Sequence, residues 1–221
     1  MAFKKKKAAV ETLNDLKIIT LPKPSLAGGK TVLLSLQKRK TTRSISPKKL
    51  PLQTLSNLFW AACGVNRGKG PFGGPGLTAG SASNSQEINV YAAFEDGVYL
   101  YEPVPHKLIP VAAGDFRGIA IGKGQGHMGA DAPVRLIYAV DTHKFSKAGF
   151  PEPGLYDPEI QKAYYFVDTG LIAGNVYLFA ASQGLATWFH NCDKTALAAK
   201  LKLRPEQRLL FGQTVGFAQK A

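Results

Sequence analysis

The segment 38–44 reads KRKTTRS and brings basic and hydroxyl side chains together at the predicted end of a helix. Arginine offers a planar fork of N–H donors to a phosphate, and hydroxyl groups add short hydrogen bonds. The segment therefore suggests a clamp for an anion. A solvated basic helix end is the alternative, because cations are favourable near a helix C-terminus in any case.

A second polar segment, 80–86, reads GSASNSQ and directly precedes a predicted β-hairpin. Small residues at a loop-to-strand junction let a backbone approach a ligand closely, and Asn and Gln can hydrogen-bond to the amide-like edge of a heterocycle. A plain turn is the alternative, because the same residue types favour turns.

The third segment, 168–186, is apolar and rich in small residues, and we predict that it forms a buried helix. Gly170, Gly174 and Gly184 each cost about 1 kcal/mol relative to alanine inside a helix. That cost suggests that another backbone packs closely against them, as at a helix–helix dimer interface. An ordinary, loosely packed core helix is the alternative.

The remaining chemistry-bearing residues form no recognisable pattern. The four histidines are scattered, which argues against a metal site. Cys63 and Cys192 have no partner at metal-ligand spacing, so we interpret them as buried small residues. The glycine-rich stretch 122–126 lacks the Ser or Thr after lysine that a phosphate-binding P-loop needs.

The hydrophobic periodicity predicts the elements that must position these segments. Strands and helices do not alternate strictly, so an α+β fold is favoured over a doubly wound sheet. The predicted helices are 31–39, which Thr31 would cap, 51–63, 168–186 and 195–203. The predicted strands are 18–21, 88–94, 98–101, 134–140 and 209–217.

The net charge of +13 is concentrated at one end of the chain. Residues 1–50 hold 13 of the 28 Lys and Arg and 2 of the 15 Asp and Glu, whereas the rest is nearly neutral at +2. We therefore divide the chain into a basic N-terminal arm, 1–30, and a single domain, 31–221. Because residues 51–221 carry almost no basic excess, the charge distribution argues against nucleic-acid binding as the main function. No apolar run is long enough to span a membrane. We expect a cytoplasmic protein.

Taken together and in order, the three segments resemble the nitroreductase family of flavoenzymes. Residues 39–43 correspond to its Arg-Arg-Ser-x-Arg pattern, with Lys40 and Thr41 in place of Arg and Ser. Residues 80–86 correspond to its Pro-Ser-Ala-Gly-Asn-x-Gln loop, with Gly80 in place of Pro. Residues 168–175 and 184–186 match its acidic-x-Gly helix and the Gly-Leu-Gly that follows, although Gly174 stands where Gln is usual.

Two further segments are similar to the subgroup of that family that contains the thiazoline and oxazoline dehydrogenases of peptide biosynthesis. They are LFWAACGVNR at 58–67, and GVYLYEP at 97–103 followed by His106. The whole resemblance extends from about residue 20 to residue 217.

The resemblance implies a nitroreductase-like α+β fold, with a central antiparallel sheet flanked by helices, in an intertwined homodimer that binds FMN between its subunits. Arg39 and Thr41, with Lys40 beside them, would hold the phosphate and ribityl chain, and Arg43 would lie near the pyrimidine end of the flavin. The remaining implied contacts are Ser81, Ala82 and Asn84 from the partner subunit, backbone groups around Trp188, Phe189 and His190 near flavin N5, and Lys220 as the candidate late basic phosphate ligand.

The expected activity is hydride transfer from NAD(P)H through FMN to an organic acceptor such as a nitroaromatic compound or a quinone, by a ping-pong mechanism. No side chain stands out as a general acid or base. None is expected, because the cofactor carries out the redox chemistry. One alternative is a dehydrogenase that oxidises azoline rings in a peptide. The other, of a different class, is a basic-arm protein that binds nucleic acid without catalysis.

Overall fold

Seven strands form the antiparallel sheet at the centre of the computed structural model, which describes residues 12–219 except Gly126 and Ala130. Along the sheet the order is β1-β6-β5-β4-β7-β9-β8, and β2 pairs with β3 in a separate small hairpin. The strands are β1 (Ile19–Thr20), β2 (Val65–Arg67), β3 (Gly76–Leu77), β4 (Ile88–Ala93), β5 (Gly97–Glu102), β6 (Lys107–Ala113), β7 (Val134–Asp141), β8 (Ala186–His190) and β9 (Gln207–Gly216).

Four α-helices cover the two faces of this sheet: α1 (Val32–Lys38), α2 (Leu52–Cys63), α3 (Pro158–Gln183) and α4 (Lys194–Leu201). Side chains alternate between faces along a strand. Leu136 and Tyr138 of β7 therefore pack in the core with α2 and α3, whereas Ile137 and Ala139 pack in the core with α4. All residues of β7 are buried because helices cover both of its faces.

Local sequence explains where the helices begin and end. The Thr31 side chain accepts a hydrogen bond from the backbone of Leu34, which confirms the predicted cap of α1. Asp157 caps α3 in the same way, and Pro158 occupies its first position. Gly184 ends α3 in a left-handed conformation, with φ of 70°, that glycine adopts without a steric penalty.

Two differences from the predicted elements affect the candidate site. The predicted helix 168–186 is wrong at both ends, because α3 begins ten residues earlier and stops at Gln183. The residues after Gly184 form strand β8, at the edge of the sheet beside β9. The prediction also lacks strand β6, which contains Pro110.

The described part of the N-terminal segment packs on the domain. Strand β1 pairs with Lys107 and Leu108 of β6, and Leu16 and Leu21 on either side of it are buried. The run of lysines at 4–7 lies outside the described residues, and the boundary at residue 30 stays a prediction. Among the described helices, none combines the length and the hydropathy needed to cross a bilayer.

Candidate functional site

Tyr177 of α3 connects the basic segment after α1 to strand β8. Its hydroxyl accepts a hydrogen bond from the backbone N–H of Phe189 at 2.9 Å and lies 3.1 Å from Oγ1 of Thr41. Because the oxygen already accepts from Phe189, its own proton is free to donate to Thr41. The guanidinium of Arg39 lies over the Tyr177 ring, 5.4 Å from its centroid. The structure therefore brings Arg39, Thr41 and Phe189 together around Tyr177.

The basic segment follows β8 closely. The backbone N–H of Thr42 donates to the carbonyl of Thr187 at 2.9 Å, and the guanidinium of Arg43 lies 5.5 Å from the centre of a Trp188 ring. Arg39, Lys40, Thr41 and Arg43 are all exposed. Within the described residues no carboxylate forms an ion pair with the three basic side chains of this group. These cations and the Thr41 hydroxyl, which accepts from Tyr177 and keeps its own proton to donate, form a donor set suited to a phosphate.

Strand β8 presents backbone rather than polar side chains to this region. The side chains of Trp188 and His190 are buried against each other, with ring centroids 4.4 Å apart. The His190 ring lies 2.8 Å from Thr214 Oγ1 and 2.7 Å from the carbonyl of Asn191. A carbonyl only accepts, so Nδ1 donates to Asn191, and in the neutral ring Nε2 then accepts from the Thr214 hydroxyl. Burial lowers the pKa of His190 to about 4.

The second predicted segment forms a tight loop. Ser83, Asn84 and Gln86 have φ values of 48°, 55° and 50°, a left-handed conformation that non-glycine residues rarely adopt. The Gln86 side-chain amide donates to Oδ1 of Asn84 at 3.0 Å and to the carbonyl of Pro75 at 2.7 Å. Such strain persists only where surrounding contacts impose it, and it is concentrated at functional sites.

A pair of buried carboxyl groups anchors this loop. Oδ2 of Asp168 on α3 accepts a hydrogen bond from the backbone N–H of Ala82 at 2.9 Å, and the Ser85 hydroxyl donates to Oε2 of Glu87 at 2.7 Å. Burial and the neighbouring charge of Asp168 raise the pKa of Glu87 to about 7. Burial also raises the pKa of Asp168.

One chain does not bring the two halves of the site together. Asp168, which holds the loop, and Tyr177, which holds the basic segment, are nine residues apart on α3. Nine residues are two and a half helical turns, so the two side chains project from opposite faces of α3, about 14 Å apart along its axis. Ser81, Ala82 and Asn84 are therefore remote from Arg39 and Thr41 within the chain.

The two glycines of α3 lie on an open face of the helix. A Cβ atom built on Gly170 or Gly174 meets no described atom within 4 Å, so nothing within the chain explains these residues by close packing. Three large apolar side chains share the surface: Phe166, Val167 and Leu171 are 40%, 61% and 48% exposed. An apolar helix face of this kind is typical of an interaction surface.

Sequence reasoning missed two residues that organise the site. Tyr177 lies in an apolar helix, where a tyrosine is usually part of the core, and no spacing marks it. Glu87 has a detectable signal, because it is a carboxylate directly before the mostly apolar and buried strand β4. The last predicted ligand, Lys220, lies outside the described residues.

Comparison with known proteins agrees with this architecture. Residues 36–217 match the model of the nitroreductase family. The crystal structure of a candidate nitroreductase from Ralstonia eutropha JMP134 superposes with a TM-score of 0.82 at 31% identity, over 96% of this chain and 94% of that one. A candidate nitroreductase from Methanocaldococcus jannaschii is 28% identical over 159 residues, which are 69% of this chain and 74% of that protein.

More distant structures share the fold alone. The NADPH:FMN oxidoreductase from Vibrio harveyi, solved in complex with NAD+, has a TM-score of 0.60 at 15% identity, over 86% of this chain and 69% of that one.

The family match covers most of the chain, and the fold is that of its relatives. This chain belongs to the nitroreductase family, which makes it an oxidoreductase by class.

Proposed function

We propose that this protein is an FMN-dependent oxidoreductase that transfers hydride from NAD(P)H to an organic acceptor, and that residues 31–221 are its FMN-binding domain. The observation that carries the proposal is the group formed by Arg39, Thr41, Tyr177 and Phe189. It sets exposed cations and hydroxyl groups next to the backbone of an edge strand. Its donors suit the anionic tail of FMN, and the strand offers backbone groups beside the ring.

The residues present fit this cofactor. Arg39, Lys40 and Thr41 would hold the phosphate and the ribityl chain, because they are exposed and carry donors with no carboxylate partner among the described residues. Arg43 would supply positive charge near the ring, and Trp188, Phe189 and His190 would contribute backbone groups only. When bound, FMN supplies the atom that accepts and gives up the hydride.

A homodimer is part of the proposal, because each chain carries two half-sites on opposite faces of α3. Pairing two chains through the open face around Gly170 and Gly174 would let the loop 81–84 of one subunit complete the basic group of the other. It would also bury Val167 and Leu171, which favours association at about 25 cal/mol for each Å² of apolar surface. Both active sites then depend on dimerisation.

The protein's own residues act by binding and positioning. Donor and acceptor would occupy the same cleft in turn, as in a ping-pong reaction, and proximity to the ring supplies most of the rate enhancement. The described part of the site presents no exposed histidine or carboxylate beside Phe189 that would act as a general base. The acceptor class is a nitroaromatic compound, a quinone or a related unsaturated molecule.

The decisive experiment uses the purified full chain, FMN in excess and a gel-filtration step. We expect a dimer that retains a yellow flavin absorbance and oxidises NADH or NADPH when a quinone is added. A monomer that takes up no FMN contradicts the proposal. A colourless protein that binds nucleic acid tightly would favour the basic-arm alternative instead.

A second candidate is oxidation of azoline rings in a peptide. The subgroup segment at 97–106 motivates it, and in the structure its Tyr101 hydroxyl lies 2.8 Å from Nδ1 of His106. A chain of the Escherichia coli microcin synthetase McbBCD complex, with truncated pro-MccB17 bound, shares the fold at 16% identity with a TM-score of 0.63, over all of this chain and 85% of that one. Flavin reduction by an azoline peptide, together with poor NAD(P)H oxidation, would favour this candidate.

A further inference from the structure

The carboxyl groups of Glu87 and Asp168 face each other in the interior, behind the loop that contains Ala82 and Asn84. Glu87 is 0% exposed and Asp168 is 5% exposed. Both residues line the same small cavity. One of two buried carboxyl groups this close together is stabilised by keeping its proton and donating it in a hydrogen bond to the other. A carboxyl group donates a hydrogen bond only when it carries a proton, because the ionised form is an acceptor alone.

The hydrogen bonds of each oxygen agree with this assignment. Oε2 of Glu87 accepts from the Ser85 hydroxyl, whereas Oε1 is buried and meets no donor among the described residues. Oε1 is therefore the oxygen that carries the proton. Asp168, as the ionised partner, accepts from the backbone N–H of Ala82 and would accept the proton of Glu87. The pair then carries a single negative charge, and the hydrogen bonds from Ser85 and Ala82 stabilise it.

Among the described residues, no cation forms an ion pair with either carboxyl group of the pair. Lys144 lies in the segment that follows β7. Its Nζ donates to the carbonyl of Gln86 at 2.9 Å and to Oδ1 of Asn89 at 2.7 Å, rather than to a carboxyl group of the pair. Cys63 of α2 lines the same cavity as the pair. Burial raises the pKa of its thiol to about 12, so the thiol stays neutral. Two ionised carboxylates in this position would repel each other, and no described basic side chain forms an ion pair with either of them.

We propose that Glu87 and Asp168 share one proton, and that this protonated pair holds the loop 81–86 in the conformation that binds flavin. The inference rests on the proposed function. The two residues are positioning residues, since they contact the loop rather than the cofactor. Loss of the shared proton places two charges behind Ala82, releases its N–H from Asp168 and lowers the fraction of the protein with a competent loop. The apparent affinity for FMN falls by the same factor.

The test is an FMN titration of the full chain at pH 6, 7, 8 and 9, followed by flavin fluorescence. We expect the wild-type Kd to be lowest at pH 6, to begin rising near pH 7 and to be about ten-fold higher by pH 9. Glu87→Gln replaces the shared proton with a permanent amide donor that can still accept from Ser85. Its Kd should match that of the wild type at pH 6 and stay constant to pH 9.

Asp168→Ala and Glu206→Gln complete the set. The first removes the acceptor of the Ala82 N–H and should raise the Kd about ten-fold at every pH. The second changes an exposed carboxylate elsewhere and should reproduce the wild-type profile. Titration of the FMN phosphate affects all four proteins equally. Parallel wild-type and Glu87→Gln curves, or a wild-type Kd that does not change with pH, would overturn the inference.

Infrared spectroscopy of the wild type tests the proton directly, even if a variant fails to fold. A protonated carboxyl band should be present at pH 6 and disappear between pH 7 and 9. Its absence at pH 6 overturns the inference whether or not FMN binds. No FMN binding at pH 6 with the band present contradicts the proposed function instead.

Discussion

The hydroxyl oxygen of Tyr177 lies 3.1 Å from Oγ1 of Thr41, although 136 positions separate the two residues in the chain. This contact holds the basic segment after α1 against the longest helix of the protein. Because the same oxygen accepts from the Phe189 backbone, one phenol orders both the segment and the edge strand. The candidate phosphate clamp is therefore positioned by tertiary contacts rather than by its own local sequence.

Tyr177→Phe should weaken FMN binding several-fold while leaving the fold intact. The substitution keeps the ring under Arg39 but removes both hydrogen bonds, each of which contributes about 1 kcal/mol. Fluorescence titration with FMN measures the effect. Tyr156→Phe is the matched control, because that tyrosine is 62% exposed and should not change the Kd. Equal affinities in the two variants would contradict the role given to Tyr177.

Arg39→Ala should release flavin more readily than the wild type on dialysis. The variant removes the guanidinium that lies exposed beside Thr41 and has no carboxylate partner among the described residues. Lys38→Ala is the control, because it deletes the preceding charge at the end of α1 with the same change in net charge. Flavin absorbance after dialysis compares the two. If both lose flavin to the same extent, general electrostatic attraction rather than a specific clamp explains binding.

Much of this fold follows from short-range patterns in the sequence. The periodicity of α2 and the alternation of β4 and β5 predict those elements within a few residues, because one face of each packs in the core. Strand β6 escapes detection because Pro110 cannot donate to a ladder. The structure accommodates this proline beyond the end of β1, which pairs only with Lys107 and Leu108, and next to a register shift opposite Tyr99.

The candidate site is predictable only in part, for a related physical reason. The segments 38–44 and 80–86 stand out by composition, because one concentrates basic and hydroxyl side chains and the other small polar residues within seven positions. The residues that position them lie on other parts of the chain, where Glu87 and Asp168 are buried and Tyr177 is half-buried. Nothing local indicates that Glu87 faces Asp168, or that Tyr177 reaches Thr41, because these contacts depend on how α3 crosses the sheet.

Arginine at Val167 or Leu171 should abolish the proposed dimer without unfolding the chain. Both side chains are largely exposed within one chain, so the substitution costs little there, whereas burial of a guanidinium at an apolar interface is unfavourable. Sedimentation measures the oligomeric state. Val104→Arg is the control at a 72% exposed position in the turn before β6. FMN binding should be lost together with the dimer; a monomer that binds FMN normally would contradict the two-subunit site.

Gly170→Leu separates the stability of the chain from that of the dimer. A side chain at this position meets open space within one chain, and leucine has a helix propensity about 1 kcal/mol more favourable than glycine. The isolated chain should therefore be as stable as the wild type or more so. At a close helix–helix contact the added side chain should prevent association. If dimerisation persists unchanged, this part of α3 is not the interface.

His190 should make the protein less stable as the pH falls below 6.5. Burial lowers the pKa of this ring to about 4 in the fold, so the unfolded chain takes up the proton first. The stabilisation is present above pH 6.5 and is lost progressively toward pH 4. A shift of this size corresponds to a change on the order of 3 kcal/mol. Urea unfolding of the wild type and of His190→Gln, which keeps a donor for Asn191 and an acceptor for Thr214, measures this difference. Carboxyl titrations affect both proteins alike, so equal pH slopes would show that the ring does not stay neutral in the fold.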